Sequence, residues 1–326
     1  MPPTQLTILP DLPAPPGPVG LIAGGGRLPG LIAEHLRRRG YRVIGVGLSG
    51  HHDDDLPPLC HTFRRIPLLR IGAWARALRR QQVRHAILVG RVDKARLMHD
   101  PWRVVHNIPD HRTLFAWYRY LRHDRRSHAV LAAIAEELER NGVSLLDSTS
   151  PIPDQLATAG VMTRAQPTAE QRADIDFVWP LLGEMLRLDI GQALTVRERD
   201  VLAVEAVEGT DRMIQRTGEL CRCGGWTLCK GARVGHDRRS DVPTVGPRTL
   251  ELMKSNGGRC LALAAGDVIM LDREAFLQKA DDMGIAVVGV PVARSVFAED
   301  RAAREQPSAA RVETLAVLRR QNAHNP

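Results

Sequence analysis

Short apolar runs alternate with amphipathic stretches through the first half of the chain. Val19 to Ala23 is a continuous apolar run, Gly24 to Gly26 a turn, and Leu28 to Arg39 places Leu28, Leu31, Ile32 and Leu36 on one helical face. Tyr41 to Val46 predicts the next strand and His51 to Asp55 a polar turn; Ile71 to Gln82 predicts a helix and Ala86 to Val89 a further strand. Strands alternating with helices imply a parallel sheet. Arg112 to Asn141 has helical spacing, with Leu114, Trp117, Tyr118 and Leu121 on one stripe and Val130, Ile134 and Leu138 on another.

The stretch from Asp147 to Pro167 collects serine, threonine and proline, which is turn chemistry, so a domain boundary is expected there. The second half predicts helices at Ala169 to Leu186, Asp211 to Leu220, Arg248 to Asn256 and Arg273 to Met283. Between them fall strand-like runs at Ala193 to Val196, Val201 to Val207, Trp226 to Lys230 and Ala286 to Val290, and a strand pair, Leu261 to Leu263 with Val268 to Leu271, around Ala265 and Gly266. The expected class is α/β: an N-terminal Rossmann-like parallel-sheet domain over 18–147, a linker over 148–168, and a C-terminal α/β (α+β) catalytic domain over 169–296. A proline-rich leader over 1–17 and a charged tail over 297–326, with an amphipathic helix from Ala309 to Leu318, flank them.

Composition narrows the class. No stretch approaches the roughly 18 to 20 apolar residues of a spanning helix, and the N-terminus lacks the basic start and apolar run of a signal peptide. The odd set of five cysteines points to reduced thiols and a cytoplasmic location. The formal charge of +8 comes mainly from arginine clusters, including Arg64 with Arg65 and Arg79 with Arg80. Such a field attracts phosphorylated small molecules, anionic membranes and nucleic acids. At 4% aromatic residues there is little surface for base stacking, which argues against a nucleic-acid partner.

Three groups of residues could carry chemistry. Gly24, Gly25 and Gly26 between strand and helix either cradle an anion or make a tight turn. A dinucleotide fingerprint fails because Pro29 occupies the third glycine position and no acid follows Val46. Asp189 and Gln192, then Glu205, Glu208, Gly209, Thr210 and Asp211, form a polar collection. Glu205 faces inward or lies at a rim, where an ionised carboxylate requires a metal or a paired lysine; Thr210 or Asp211 could also simply cap the following helix. Lys230, His236, Asp237, Arg239, Asp241 and Thr244 place acids and bases on one loop, a combination suited to splitting a phosphoanhydride. Cys221, Cys223 and Cys229 lack the partners of a zinc site.

In order, Gly20 to Pro29, Gly90-Arg91-Val92, Ala173 to Asp176, Leu188 to Gln192, Ala203 to Asp211 and Asp241 to Gly246 resemble the UDP-2,3-diacylglucosamine pyrophosphatases of the LpxI type. The resemblance implies two α/β domains with substrate between them. It also implies attack by water on the phosphorus nearer the nucleoside, assisted by Mg2+ or Mn2+, giving UMP and 2,3-diacylglucosamine 1-phosphate. Asp241 matches the key carboxylate, as metal ligand or as the base that aligns water, with Lys230 and Asp237 as further catalytic candidates. Asp189, Glu208 and Asp211 are the other candidate metal ligands. Gly24, Gly25, Gly26, Gln192, Gly209, Thr210, Arg239 and Thr244 are candidate substrate contacts. The implied partner is the lipid-linked UDP-sugar, with peripheral contact at the inner membrane and a homodimer left open. The chain departs from the family pattern at Arg126, Ser127 and His128, with Asp124 as the nearest acid, and at Arg233 to His236. The rival readings are a catalytically inactive nucleotide-sugar-binding protein of the same fold and an NAD-dependent oxidoreductase.

Overall fold

The structure is a computed structural model and describes residues 9–92, 113, 118, 127–233, 235–239 and 242–291. Asp241, Asp124, most of the first half of the helix expected over 112–141, and the tail helix lie outside the described residues.

Strands β1 (Pro18–Ala23), β2 (Arg42–Leu48), β3 (Thr62–Ile66), β4 (His85–Val89) and β5 (Ser144–Leu145) form a parallel sheet in the order β3-β2-β1-β4-β5. Its strands read as near-continuous apolar runs because both faces are covered. Val19, Leu21 and Ala23 of β1 pack with Leu31, Ile32 and Leu36 of helix α1 (Arg27–Arg38). Ile22, between them in the strand alternation, turns to the other face. There it meets Trp74 and Leu78 of α2 (Ile71–Arg79) and Leu138 of α3 (Ser127–Arg140). The edge strand β3 has no counterpart in the sequence reading. Its exposed Arg64 and Arg65 hide the apolar alternation a strand normally shows.

The second sheet has the order β6-β13-β11-β9-β7-β8. It comprises β6 (Gly160–Val161), β7 (Ala193–Arg197), β8 (Asp200–Val204), β9 (Thr227–Lys230), β11 (Cys260–Ala264) and β13 (Ala286–Val290). Strands β9, β11 and β13 are parallel, while β7 runs against β9 and β8 against β7. Helix α4 (Ala169–Arg187) covers one face through Ile175, Val178 and Leu182. It opens on a capping box between Thr168 and Gln171. Helices α5 (Thr210–Leu220), α6 (Pro247–Ser255) and α7 (Arg273–Met283) cover the other with Met213, Leu250 and Phe276. The expected pairing of Leu261 to Leu263 with Val268 to Leu271 is not found. Strand β12 (Ile269–Met270) pairs instead with β10 (Thr244–Val245) in a separate two-stranded sheet.

The segment joining the sheets is packed, not free-running. Ile152 is buried, Leu156 bridges to Ile269, and Ile269 belongs to the same apolar cluster as Val19 and Leu21. Polar staples reinforce the seam. Arg27 donates Nε and Nη2 to the two Asp272 oxygens, each at 2.9 Å, and bonds Glu34 of its own helix at 2.7 Å.

Candidate active site

In a 3-2-1-4-5 sheet, ligands bind outside the carboxyl ends of the strands where the order reverses, between β1 and β4. Gly24 to Gly26 and Gly90 to Arg91 occupy that place, locked together by the Gly25–Arg91 bridge, whose amides donate to the opposite carbonyls at 3.0 and 2.8 Å. Gly24 is required by close approach, since a Cβ there would lie 2.5 Å from the Arg91 carbonyl oxygen. Gly26 has φ +96, which favours glycine. The three amides have partners: Gly24 N–H donates to Val89 O at 2.8 Å, Gly25 N–H to Arg91 O, and Gly26 N–H to Asp53 Oδ2 at 2.8 Å. The tight-turn role is thus realised, and the anion at the start of α1 is the Asp53 carboxylate.

The second sheet carries a further polar group at one end. Ala193 pairs with Lys230, so Gln192 at the start of β7, Lys230 at the end of β9 and Glu205 just beyond β8 share one edge. Lys230 is buried and donates Nζ to Thr210 Oγ1 at 2.8 Å; Thr210 in turn donates to Glu205 Oε1 at 2.7 Å. The Gln192 N–H donates to Glu205 Oε2 at 3.3 Å, and its carbonyl accepts from Gly231 at 3.0 Å. Glu205, which needed a metal or a lysine, is therefore linked to a lysine through a hydroxyl. No side chain caps α5: Gly209 is its N-cap, and Thr210 serves the lysine–glutamate link. Burial lowers the Lys230 pKa, Glu205 and Asp211 work against that, and Arg91 lowers it further. Arg91 sat within a recognised motif, but nothing in the sequence linked its charge to Lys230.

Glu208 and Asp211 each pair with an arginine. Glu208 Oε1 accepts from Arg216 at 2.6 Å, and Asp211 Oδ2 from Arg248 at 2.8 Å. The Glu208 carboxyl is held low by its own backbone N–H and then by Arg216. Asp189 is exposed in the turn after α4, with φ 59. Among the described residues no three His, Cys, Asp or Glu side chains gather as a metal-ligand set. Asp241, the leading candidate ligand, lies outside the described residues, and no step is derived through a metal.

The loop after β9 carries Asp237 and Arg239, joined through Arg239 Nε to Asp237 Oδ1 at 2.8 Å and Nη2 to Oδ2 at 2.5 Å. Burial would raise the Asp237 pKa, but these bonds outweigh it and hold the carboxyl below its ordinary value. Arg238, which the sequence reading passed over, anchors the loop. It donates to Asp147 at 2.9 Å, Asp267 at 2.8 Å and Thr149 Oγ1 at 2.8 Å, and its carbonyl accepts from the Ser148 N–H and hydroxyl, each at 2.9 Å. The loop is thereby pinned against the inter-sheet segment. Val242 packs into the apolar cluster that the first sheet shares with Ile269, and Thr244 pairs with Ile269.

Comparison with known proteins agrees with this layout. The LpxI N-terminal domain model matches residues 18–155, and the LpxI C-terminal domain model residues 158–288. The chain is 31% identical over 285 residues to UDP-2,3-diacylglucosamine pyrophosphatase LpxI of Caulobacter vibrioides, covering 83% of this chain and 97% of that relative. The chain belongs to the LpxI family. The two LpxI domain models thus fall on the two sheets, with Arg91 in the first and Lys230 in the second.

Proposed function

We propose that this LpxI-family chain hydrolyses UDP-2,3-diacylglucosamine to UMP and 2,3-diacylglucosamine 1-phosphate in the crevice between its two sheets. The reading is carried by the Caulobacter relative, matched over nearly its whole length and named for that activity. In this reading Lys230 and Arg91 neutralise charge on the diphosphate, and the bonds from Lys230 to Thr210 and from Thr210 to Glu205 support the lysine's part in it. Fixed cations aimed at developing phosphate charge act strongly where water is excluded. Asp241 is proposed as metal ligand or water-aligning base, and Mg2+ or Mn2+ assistance remains a proposal resting on the family resemblance. The test is chromatographic detection of UMP after incubation with the diacylated UDP-sugar. Substrate binding without UMP would leave a nucleotide-sugar-binding protein instead.

Peripheral contact with an anionic lipid surface is part of the same proposal. Arg64, Arg65, Arg70, Arg76 and Arg80 line a groove of about 370 Å³ between β3 and α2. Each suitably placed arginine contributes on the order of 1 kcal/mol of attraction to an anionic membrane. No helix among the described residues is long and apolar enough to cross a membrane, so a surface contact would bring the enzyme to a lipid-tailed substrate. Salt-sensitive sedimentation with phosphatidylglycerol vesicles supports the contact, and salt-independent binding counts against it.

A further inference from the structure

Three of the five cysteines are silenced by burial. The Cys60 thiol is pushed up to about 11, Cys260 to about 12, and Cys229 well above the ordinary range. The other two stand together. Cys221, at the C-terminal end of α5, is buried while Cys223 is exposed, and their sulfurs lie 3.5 Å apart. Arg197, the last residue of β7, donates Nη1 to Cys223 Sγ, to the Gly224 carbonyl at 2.5 Å and to Cys221 Sγ at 3.8 Å. Glu198 holds that guanidinium from the other side at 3.0 Å. The guanidinium thus fixes both sulfurs side by side. Gly224 and Gly225, both with positive φ, complete the turn, and a cavity of about 350 Å³ lined in part by Arg197 and Gly225 opens beside it.

We propose that Cys221 and Cys223 form a two-electron redox site that takes a small hydroperoxide. The Cys223 thiolate attacks the peroxide oxygen, breaking the O–O bond, becoming a sulfenic acid and releasing hydroxide or alkoxide. The Cys221 sulfur then displaces the sulfenic hydroxyl, forming the S–S bond; that hydroxyl leaves as water with the Cys221 proton. Overall two thiols and one hydroperoxide give a disulfide, an alcohol or water, and water. The pair sits at the opposite end of α5 from Thr210, so reduced Cys223→Ser protein retains the parent rate of UMP release.

The full-length chain is reduced, freed of reductant and titrated with hydrogen peroxide, then read by thiol count, intact mass and peptide mapping. Expected is the loss of two thiols per peroxide, an intrachain Cys221–Cys223 disulfide, and recovery with a phosphine. Cys221→Ser is expected to leave Cys223 as a sulfenic acid trapped by a 1,3-diketone, and Arg197→Gln to slow the reaction by about tenfold. A pair that stays reduced under excess peroxide, a bond formed elsewhere or between chains, or a Cys221→Ser protein with no trapped adduct would each overturn the proposal.

Discussion

Replacing Lys230 with methionine keeps the length of the side chain while removing its charge and its donors. The variant loses one charge-assisted hydrogen bond, Nζ to Thr210 at 2.8 Å, of a kind that contributes about 1.5–3 kcal/mol. It also loses the cost of burying an ammonium, a cost visible in the downward pKa. Glu205 keeps the Thr210 hydroxyl and the Gln192 N–H. These contributions oppose each other, so net stability should change by no more than about 2 kcal/mol, which at about 2–4 °C per kcal/mol moves Tm by under about 8 °C. Turnover should respond far more. Removing a preorganised donor to developing charge lowers kcat by about 10²–10³-fold, and UMP release followed with a thermal melt separates the two effects. The lysine's depressed pKa adds a pH signature. In the parent, stability is fullest above 10.5 and falls as pH drops from there through the folded value, because the unfolded chain binds the proton first. Lys230→Met removes that slope. A folded variant with kcat within about threefold of the parent would make Lys230 structural and refute its role at the diphosphate.

Arg238→Ala breaks contacts to Asp147, Asp267 and Thr149 at once, so urea unfolding should show a loss of about 2–4 kcal/mol. An unchanged midpoint would mean that the loop is held by other contacts. Asp237 is held below 3.8, so its contribution is present above that value and lost as pH falls through the folded pKa. Asp237→Asn should flatten acid unfolding in that window, and identical acid curves would contradict the Arg239 pairing. Stripping divalent ions with a chelator should abolish UMP release and added Mg2+ or Mn2+ restore it; full activity in chelator would remove the metal from the proposal.

How much could be read in advance follows from the range of each interaction. The β1–glycine–α1 unit was legible because its apolar runs and helical spacing are local, as they are in β4, α4 and α7. Strand β3 was not, since an edge strand bearing Arg64 and Arg65 lacks the alternation that marks a half-buried strand. The pairing of β10 with β12 was hidden because two-residue strands carry no period. At the site, Glu205 could be seen to need a cation, but choosing Lys230 over a metal required the pairing of Ala193 with Lys230 and the hydroxyl of Thr210. Arg91 and Arg238 act across chain separations that no local pattern encodes. The grouping of Asp189, Glu208 and Asp211 rested on family likeness, and the arginines that pair with two of these acids, Arg216 and Arg248, lie too far along the chain to be read as their partners.

The most direct trial is a 31P NMR time course of UDP-2,3-diacylglucosamine with the purified chain and Mg2+ in water enriched with oxygen-18. Hydrolysis replaces the diphosphate signals with two phosphomonoesters, UMP and the sugar 1-phosphate, one of them isotope-shifted, while Asp241→Asn protein leaves the spectrum nearly unchanged. Label in UMP places the attack on the phosphorus nearer the nucleoside, and label in the sugar phosphate moves it to the other. Diphosphate resonances that persist with folded, substrate-bound wild-type protein would contradict the hydrolase reading outright.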